Sequence, residues 1–291
     1  MVTGRTARRR VLRISLPAGP TSGNQSDAAM DARADLLAAE EPLGIRIGGQ
    51  AVNLTMRTPG DDVDLAAGFL VSEGIVASAG DIVSIKICSG AKCEHNGDGE
   101  DHSGAGNIAD VTLRPGLRVR PEVRRNFMTT SACGVCGKAS IEDLRVPRRF
   151  DLFADQTRIS PAILATLPDT LRTAQRVFES TGGLHAAGVF ASDGRLLAVR
   201  EDVGRHNAVD KVVGWALRDD RLPLAGCVLL VSGRASFELV QKAVLAGIPM
   251  LAAVSAPSSL AVELAEDAGL TLVGFLRGGS MNVYTGGDRI G

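Results

Sequence analysis

The chain has 291 residues, 45% of them hydrophobic and 22% charged, with a net charge of −1. That length is enough for two modest domains that bury about 70% of the unfolded surface, and the charge balance excludes a bulk bias toward nucleic acid or membrane. Aromatic content of 3%, with one Trp and one Tyr, argues against a base-stacking surface, and five cysteines without framework spacing fit a reducing compartment.

Residues 1 to 30 carry Arg5, Arg8, Arg9, Arg10 and Arg13, and no apolar run of signal-peptide length follows them. The segment reads as a flexible solvated tail with one strand at Val11 to Ser15. Adjacent arginines without an apolar stretch do not make a twin-arginine signal.

Residues 31 to 125 read as a small α+β domain. Apolar residues alternate on both sides of Gly48-Gly49, which predicts a β-hairpin ending at Arg57. After Pro59-Gly60-Asp61, the residues Val63, Leu65, Ala66, Phe69 and Leu70 recur at helical spacing until Gly74. Strands are expected at Ile82 to Ile87 and Ile108 to Leu113. Between them, residues 88 to 106 form a polar insertion whose composition predicts an exposed loop.

Thr129 to Ser140 reads TTSACGVCGKAS and is the stretch with the most overt chemistry. Cys133 and Cys136 are each followed by glycine, which leaves the sulfurs unshielded. A short amphipathic helix is expected directly afterwards. The helix N-terminus and Lys138 would favour thiolate over thiol, lowering the pKa from about 8.5. The pair could be a zinc site, a disulfide-exchange site, a sulfur-carrying nucleophile or two buried cysteines in a turn. Zinc needs four ligands and this stretch supplies two. Cys88, Cys93, His95 and His102 sit in the polar insertion at irregular spacing.

Residues 126 to 291 read as an α/β domain with a mixed, largely parallel sheet. Ser160-Pro161 has the form of a helix start, and Pro168 is expected to open a second helical stretch that ends at Thr181-Gly182-Gly183. Strands are expected at His185 to Phe190, Arg195 to Arg200, Cys227 to Val231, Pro249 to Val254, Leu270 to Leu276 and Asn282 to Tyr284. Helices are expected at Arg205 to Leu217, Ser236 to Ala246 and Ser258 to Ala268. Continuous apolar strands such as CVLLV fit burial on both faces. The uncharged run from Ala243 to Val262 is broken by Gly247, Pro249 and Pro257, so it reads as core rather than a membrane span.

This order places ligand chemistry at the carboxyl ends of the strands. The segments leaving those ends hold Arg205 and His206, then Ser232, Gly233 and Arg234, then Ser258, then Arg277, Gly278, Gly279 and Ser280. Small residues, hydroxyls and arginines at helix starts and turns suit an anionic, phosphate-rich ligand. Ser and Gly also suit turns and caps, and His185 at the head of an apolar strand reads first as a core histidine.

The motifs TTSACGVCGKASIE, TGGLHAAGVF, REDVGRHNAVDKVVG, VSGRASFELVQKA, SAPSSLAVELAE and FLRGGSMNVYT, in that order, resemble the formate dehydrogenase accessory sulfurtransferase family (FdhD). The resemblance runs from about Pro42 onward. It implies a cytoplasmic sulfur carrier that takes sulfur from a cysteine desulfurase as a persulfide. It further implies delivery of that sulfur to the bis-molybdopterin guanine dinucleotide molybdenum cofactor of formate dehydrogenase. A C-terminal domain resembling the cytidine deaminase fold and a homodimer are also implied. On this sequence the persulfide would form on Cys133 with Cys136 assisting, and the cofactor segment would be Phe275, Leu276, Arg277, Gly278, Gly279 and Ser280. The resemblance gives no metal role to Cys88, Cys93, His95 or His102, and no structural metal is expected.

Two other functions are open on the same residues. A cofactor chaperone would keep the strand-end loops without using the thiols. A zinc-dependent nucleotide deaminase needs an HxE followed by PCxxC, whereas here CGVCG precedes His185-Ala186-Ala187 and Ala stands at the glutamate position.

Overall fold

The computed structural model describes residues 4–16, 29–89, 106–117 and 148–291. The N-terminal strand is longer than its pattern suggests. β1 (Thr6–Ser15) pairs antiparallel with β2 (Ala29–Ala38), so the tail expected over residues 1 to 30 holds one strand of a ribbon whose other strand lies mostly beyond residue 30. Arg9 stands opposite Asp35 and Arg13 opposite Asp31, opposite-charge pairs of the kind that favour strand pairing. β2 alternates Met30, Ala32, Ala34 and Leu36 with Asp31, Arg33 and Asp35, a period-2 pattern that the expected strands leave out.

β3 (Glu41–Ile47) and β4 (Gln50–Arg57) form the expected hairpin, with Gly48 and Gly49 both at positive φ (56° and 76°). They join β5 (Ile82–Cys88) and β6 (Ile108–Leu113) in a four-stranded sheet of order β4-β3-β6-β5. α1 (Asp62–Ser72) covers this sheet. Leu43, Ile45 and Val111 from the sheet share one buried cluster with Leu65 and Leu70 from the helix. Each such side chain contributes about 1.5–3 kcal/mol relative to exposure.

α2 (Pro161–Ala174) begins as expected, the Ser160 hydroxyl accepting from the Ala162 N–H at 3.2 Å. Pro168 does not open a new helix; it lies inside α2. A proline there forfeits one backbone hydrogen bond, but Leu164, Leu167 and Leu171 are at most 1% exposed and hold the helix on the sheet. α3 (Arg176–Thr181) follows after Gln175, its Val177 and Phe178 N–H groups donating to the Glu201 carboxylate at 3.0 and 2.8 Å.

The remaining strands are β7 (His185–Ala191), β8 (Leu196–Asp202), β9 (Cys227–Val231), β10 (Met250–Ala253), β11 (Thr271–Arg277) and β12 (Ser280–Thr285). They form one sheet of order β12-β11-β10-β9-β7-β8, with β9, β10 and β11 mutually parallel and β7 and β12 antiparallel to their neighbours. The sheet is mixed but not largely parallel as expected, because the hairpins β7–β8 and β11–β12 add antiparallel edges to a parallel centre. α4 (Arg205–Arg218), α5 (Phe237–Leu245) and α6 (Ser259–Ala268) alternate with the strands. Both faces of β9 are buried: Leu229 and Val231 join the cluster of α4 and α5, Val228 and Leu230 that of α2. This double burial is why CVLLV carries no polar alternation. Two mixed α/β parts are thereby joined through α1 and α4.

Candidate functional site

The strand directions bring the carboxyl ends of β8, β9, β10 and β11 to one edge of the sheet, as expected. β7 runs the other way, so its first residue, His185, is at that same edge. The loops are stitched to their neighbours through the backbone. Ser232 N–H donates to Ala186 O at 3.0 Å, Ala235 N–H to Ala256 O at 3.2 Å, Ser258 N–H to Ala235 O at 3.0 Å and Phe275 N–H to Ser255 O at 3.2 Å.

Arg205, the first residue of α4, has its Nε buried with no hydrogen-bond partner among the described residues. A buried donor of this kind is costly unless a ligand or water satisfies it. Gly233 lies beside it, close enough that a Cβ would be 3.4 Å from the His185 ring and 3.8 Å from Arg205 Cδ. Burial pushes the His185 pKa below its usual value, Arg205 and His206 push it further, and Asp202 opposes them. An anion placed here would meet a guanidinium, two imidazoles and the start of α4.

His206 Nε2 is 3.3 Å from Ser236 Oγ and 3.7 Å from Glu238 Oε2. Burial resists ionisation of Glu238, yet hydrogen bonds from His206, Ser236 and its own backbone N–H outweigh that and bring its pKa down to about 2. Glu238 is therefore a fixed anion that orients His206.

The floor of this corner is a polar network. Asp202, with 0% exposure, accepts from Thr58 N–H at 3.1 Å, Gly204 N–H at 2.8 Å and Asn207 Nδ2 at 3.0 Å, and pairs with Lys211 Nζ at 2.8 Å. Asn207 Nδ2 also donates to Met56 O at 2.8 Å, so the end of β4, with Thr58 just after it, holds the Arg205 loop in place.

At the other end of the edge, Phe275 has φ 52°, a strained value for a bulky side chain, at the bulge where the β11–β12 register shifts. Gly278 and Gly279, φ 56° and 77°, form the two-residue turn, with Ser280 Oγ donating to Arg277 O at 3.2 Å. The exposed Arg277 guanidinium stands 5.6 Å from the Phe275 ring centroid. Leu276 is fully buried in the core, so it offers the edge its backbone only.

Two expected hydroxyls are used by the fold. Ser232 Oγ accepts from Ala186 N–H at 2.9 Å and Ser258 Oγ caps α6 by accepting from Ala261 N–H at 3.3 Å. Their positions at the edge stand, but their side chains are committed to strand pairing and capping. Arg234 is exposed on the β9–α5 loop. From the sequence, Asp202 and Asn207 read only as members of the strand-end segment 201–207 and Glu238 only as part of a helix; they are ordinary polar residues inside REDVGRHN and ASFE, and nothing local marks their partners. Cys133 and Cys136 lie outside the described residues, as do Cys93, His95 and His102. Among the described residues no group of three or more His, Cys, Asp and Glu is placed to hold a metal ion, and no helix is long and apolar enough to cross a membrane.

Fold and edge together define a class, an α/β protein whose strand-end loops gather His185, Arg205, His206 and Arg277 at one edge of the sheet. The chain belongs to the FdhD/NarQ family, whose profile matches residues 38–291. It is 61% identical over 262 residues to the sulfur carrier protein FdhD of Mycolicibacterium paratuberculosis, covering 89% of this chain and 93% of that protein. Identity to the protein of the same name from Nocardia farcinica is 56% over 285 residues, covering 98% and 95%. The fold is also similar to the crystal structure of a candidate formate dehydrogenase accessory protein from Desulfotalea psychrophila. That match has a TM-score of 0.68 at 23% identity and covers 97% of this chain and 99% of the other.

Proposed function

We propose that this protein is a sulfur carrier that serves formate dehydrogenase maturation. It takes sulfur from a cysteine desulfurase onto Cys133 and passes it to the bis-molybdopterin guanine dinucleotide molybdenum cofactor. Relatives named sulfur carrier proteins support the first half of this reading. The observation that carries the second half is the orphaned Arg205 Nε, beside His185 and His206 on the strand-end edge, because the cofactor's pyrophosphates need such donors. Phe275, Arg277, Gly278, Gly279 and Ser280 would bind the same ligand further along the edge.

The Cys133 thiolate attacks the outer sulfur of the donor's persulfide. A bond forms from Cys133 to that sulfur, the donor's S–S bond breaks, and the donor leaves as a thiolate. Attack by the Cys136 thiolate on the Cys133 sulfur then releases the outer sulfur as hydrosulfide and leaves a Cys133–Cys136 disulfide, so the pair supplies the electrons. Holding the acceptor at the edge raises its effective concentration at the moment of release.

The test is intact mass after incubation with a cysteine desulfurase and cysteine, for the unaltered protein, Cys133→Ala and Cys136→Ala. A reductant-sensitive gain of one sulfur, lost in Cys133→Ala and retained in Cys136→Ala, is the expected result. No gain in either the unaltered protein or Cys136→Ala would reject the carrier reading. If Cys133→Ala still supports formate dehydrogenase maturation, the protein is a cofactor chaperone instead.

A further inference from the structure

The β1–β2 ribbon is unused by the site described above. It lies ahead of the family-matched part of the chain, which begins at residue 38 where β2 ends. The register places Leu12, Ile14 and Met30 on one face, and they are 59%, 55% and 66% exposed. Arg8 and Arg10 share that face, nearer the body of the protein. On the opposite face Arg9 and Arg13 already stand across from Asp35 and Asp31.

A two-stranded ribbon is marginally stable alone, and a one-sided cluster of exposed large apolar residues marks an interaction surface. Its charge is also one-sided. The two strands hold five arginines against two aspartates, in a chain whose net charge is −1. The complementary surface is therefore acidic with an apolar centre.

The root of the ribbon is fastened next to the site. Arg5 pairs with Asp61 at 2.6 Å, and Ala39 N–H donates to Arg5 O at 2.9 Å. Asp61 follows the Thr58 segment that grips Asp202 and the Val203 N–H. On the other side Ala38 packs at Gly183, two residues before His185; a Cβ on Gly183 would be 3.4 Å from Ala38 Cβ.

We infer that the ribbon is a docking arm for the protein that donates sulfur, which it holds through an acidic surface with an apolar centre. This rests on the sulfur-carrier reading. A persulfide donor of that reading is itself a protein and needs a docking surface, whereas the acceptor is a small molecule that fits within the strand-end loops.

The experiment loads the full chain with sulfur from two sources, a purified cysteine desulfurase with cysteine, and glutathione persulfide, which needs no docking. Two variants are compared with the unaltered protein, Arg8→Glu/Arg10→Glu and Leu12→Ser/Ile14→Ser. The expected result is at least a tenfold loss of loading rate from the desulfurase in both variants, with the rate from glutathione persulfide unchanged; raised salt should slow only the former. Unchanged loading from the desulfurase would overturn the docking arm while leaving the carrier reading intact. Equal loss from both sources would also overturn it, since the ribbon would then act on the site rather than the donor. Failure of the unaltered protein to load from either source would reject the carrier reading itself.

Discussion

Gly68 in α1 and Gly214 in α4 meet where the two helices cross. A Cβ on Gly68 would lie 1.8 Å from the Asp210 carbonyl oxygen, and one on Gly214 would lie 1.8 Å from that of Asp64. The contact is reciprocal, backbone against backbone, so neither helix can yield without moving the other. Gly68→Ala and Gly214→Ala are each expected to destabilise by at least about 1–3 kcal/mol, the range for overpacking. The double variant should cost less than the sum, because one separation of the helices relieves both clashes. Urea denaturation of the three proteins checks this.

Lys211 and Asp202 are 1% and 0% exposed. Lys211→Met leaves the Asp202 carboxylate buried beside three remaining donors and is expected to cost about 3–5 kcal/mol. Lys211→Met with Asp202→Asn should recover part of that loss, since no charge is then stranded. The same denaturation series measures both.

The low pKa of Glu238 makes stability depend on pH. Its folded value, about 2, lies below the ordinary 4.5, so the unfolded chain takes up the proton first as pH falls. The stabilisation is present in full above about pH 4.5 and is lost progressively toward about pH 2. Glu238→Gln is expected to flatten the pH profile in that window and leave the slope elsewhere unchanged. Denaturation midpoints at about pH 5.5 and about pH 3 show whether it does.

Arg205 tests the ligand edge. Its Nε is a buried donor with no partner among the described residues, so Arg205→Gln should leave the stability of the ligand-free protein unchanged or raise it by up to about 1–3 kcal/mol. Guanosine diphosphate, the cofactor's nucleotide portion, should bind about tenfold or more weakly, because a charge-assisted hydrogen bond contributes about 1.5–3 kcal/mol. Calorimetric titration against both proteins gives the ratio.

His185 should link ligand binding to protons. Burial, Arg205 and His206 hold its pKa below 6.5, so without ligand the folded protein loses stability as pH drops below that value and the unfolded chain takes up the proton. An anion beside the imidazole favours its protonated form and reverses the sign for binding. Affinity for guanosine diphosphate is expected to rise between about pH 8 and about pH 6 with proton uptake, and His185→Phe to weaken that rise. Titrations in buffers of different ionisation enthalpy measure the uptake.

The β7–β12 order, the three helices α4 to α6 and the gathering of strand ends at one edge were legible in residue order alone. Apolar period, glycine turns and the handedness of crossovers are local or nearly local rules, and Cys227–Val231 follows them to the residue. The Gly48-Gly49 and Gly278-Gly279 turns were legible for the same reason, since few residues tolerate two successive positive φ values. Other features come from partners distant in the chain. Pro168 stays inside α2 because three leucines are pressed on a sheet built later in the sequence, and β2 forms by pairing with β1 across the intervening chain. The roles of Ser232, Ser258, Glu238 and Arg205 were decided in the same way. A hydroxyl or a guanidinium reads alike in any loop, and only the folded neighbours set which one is spent on the fold and which keeps an unpaired donor among the described residues.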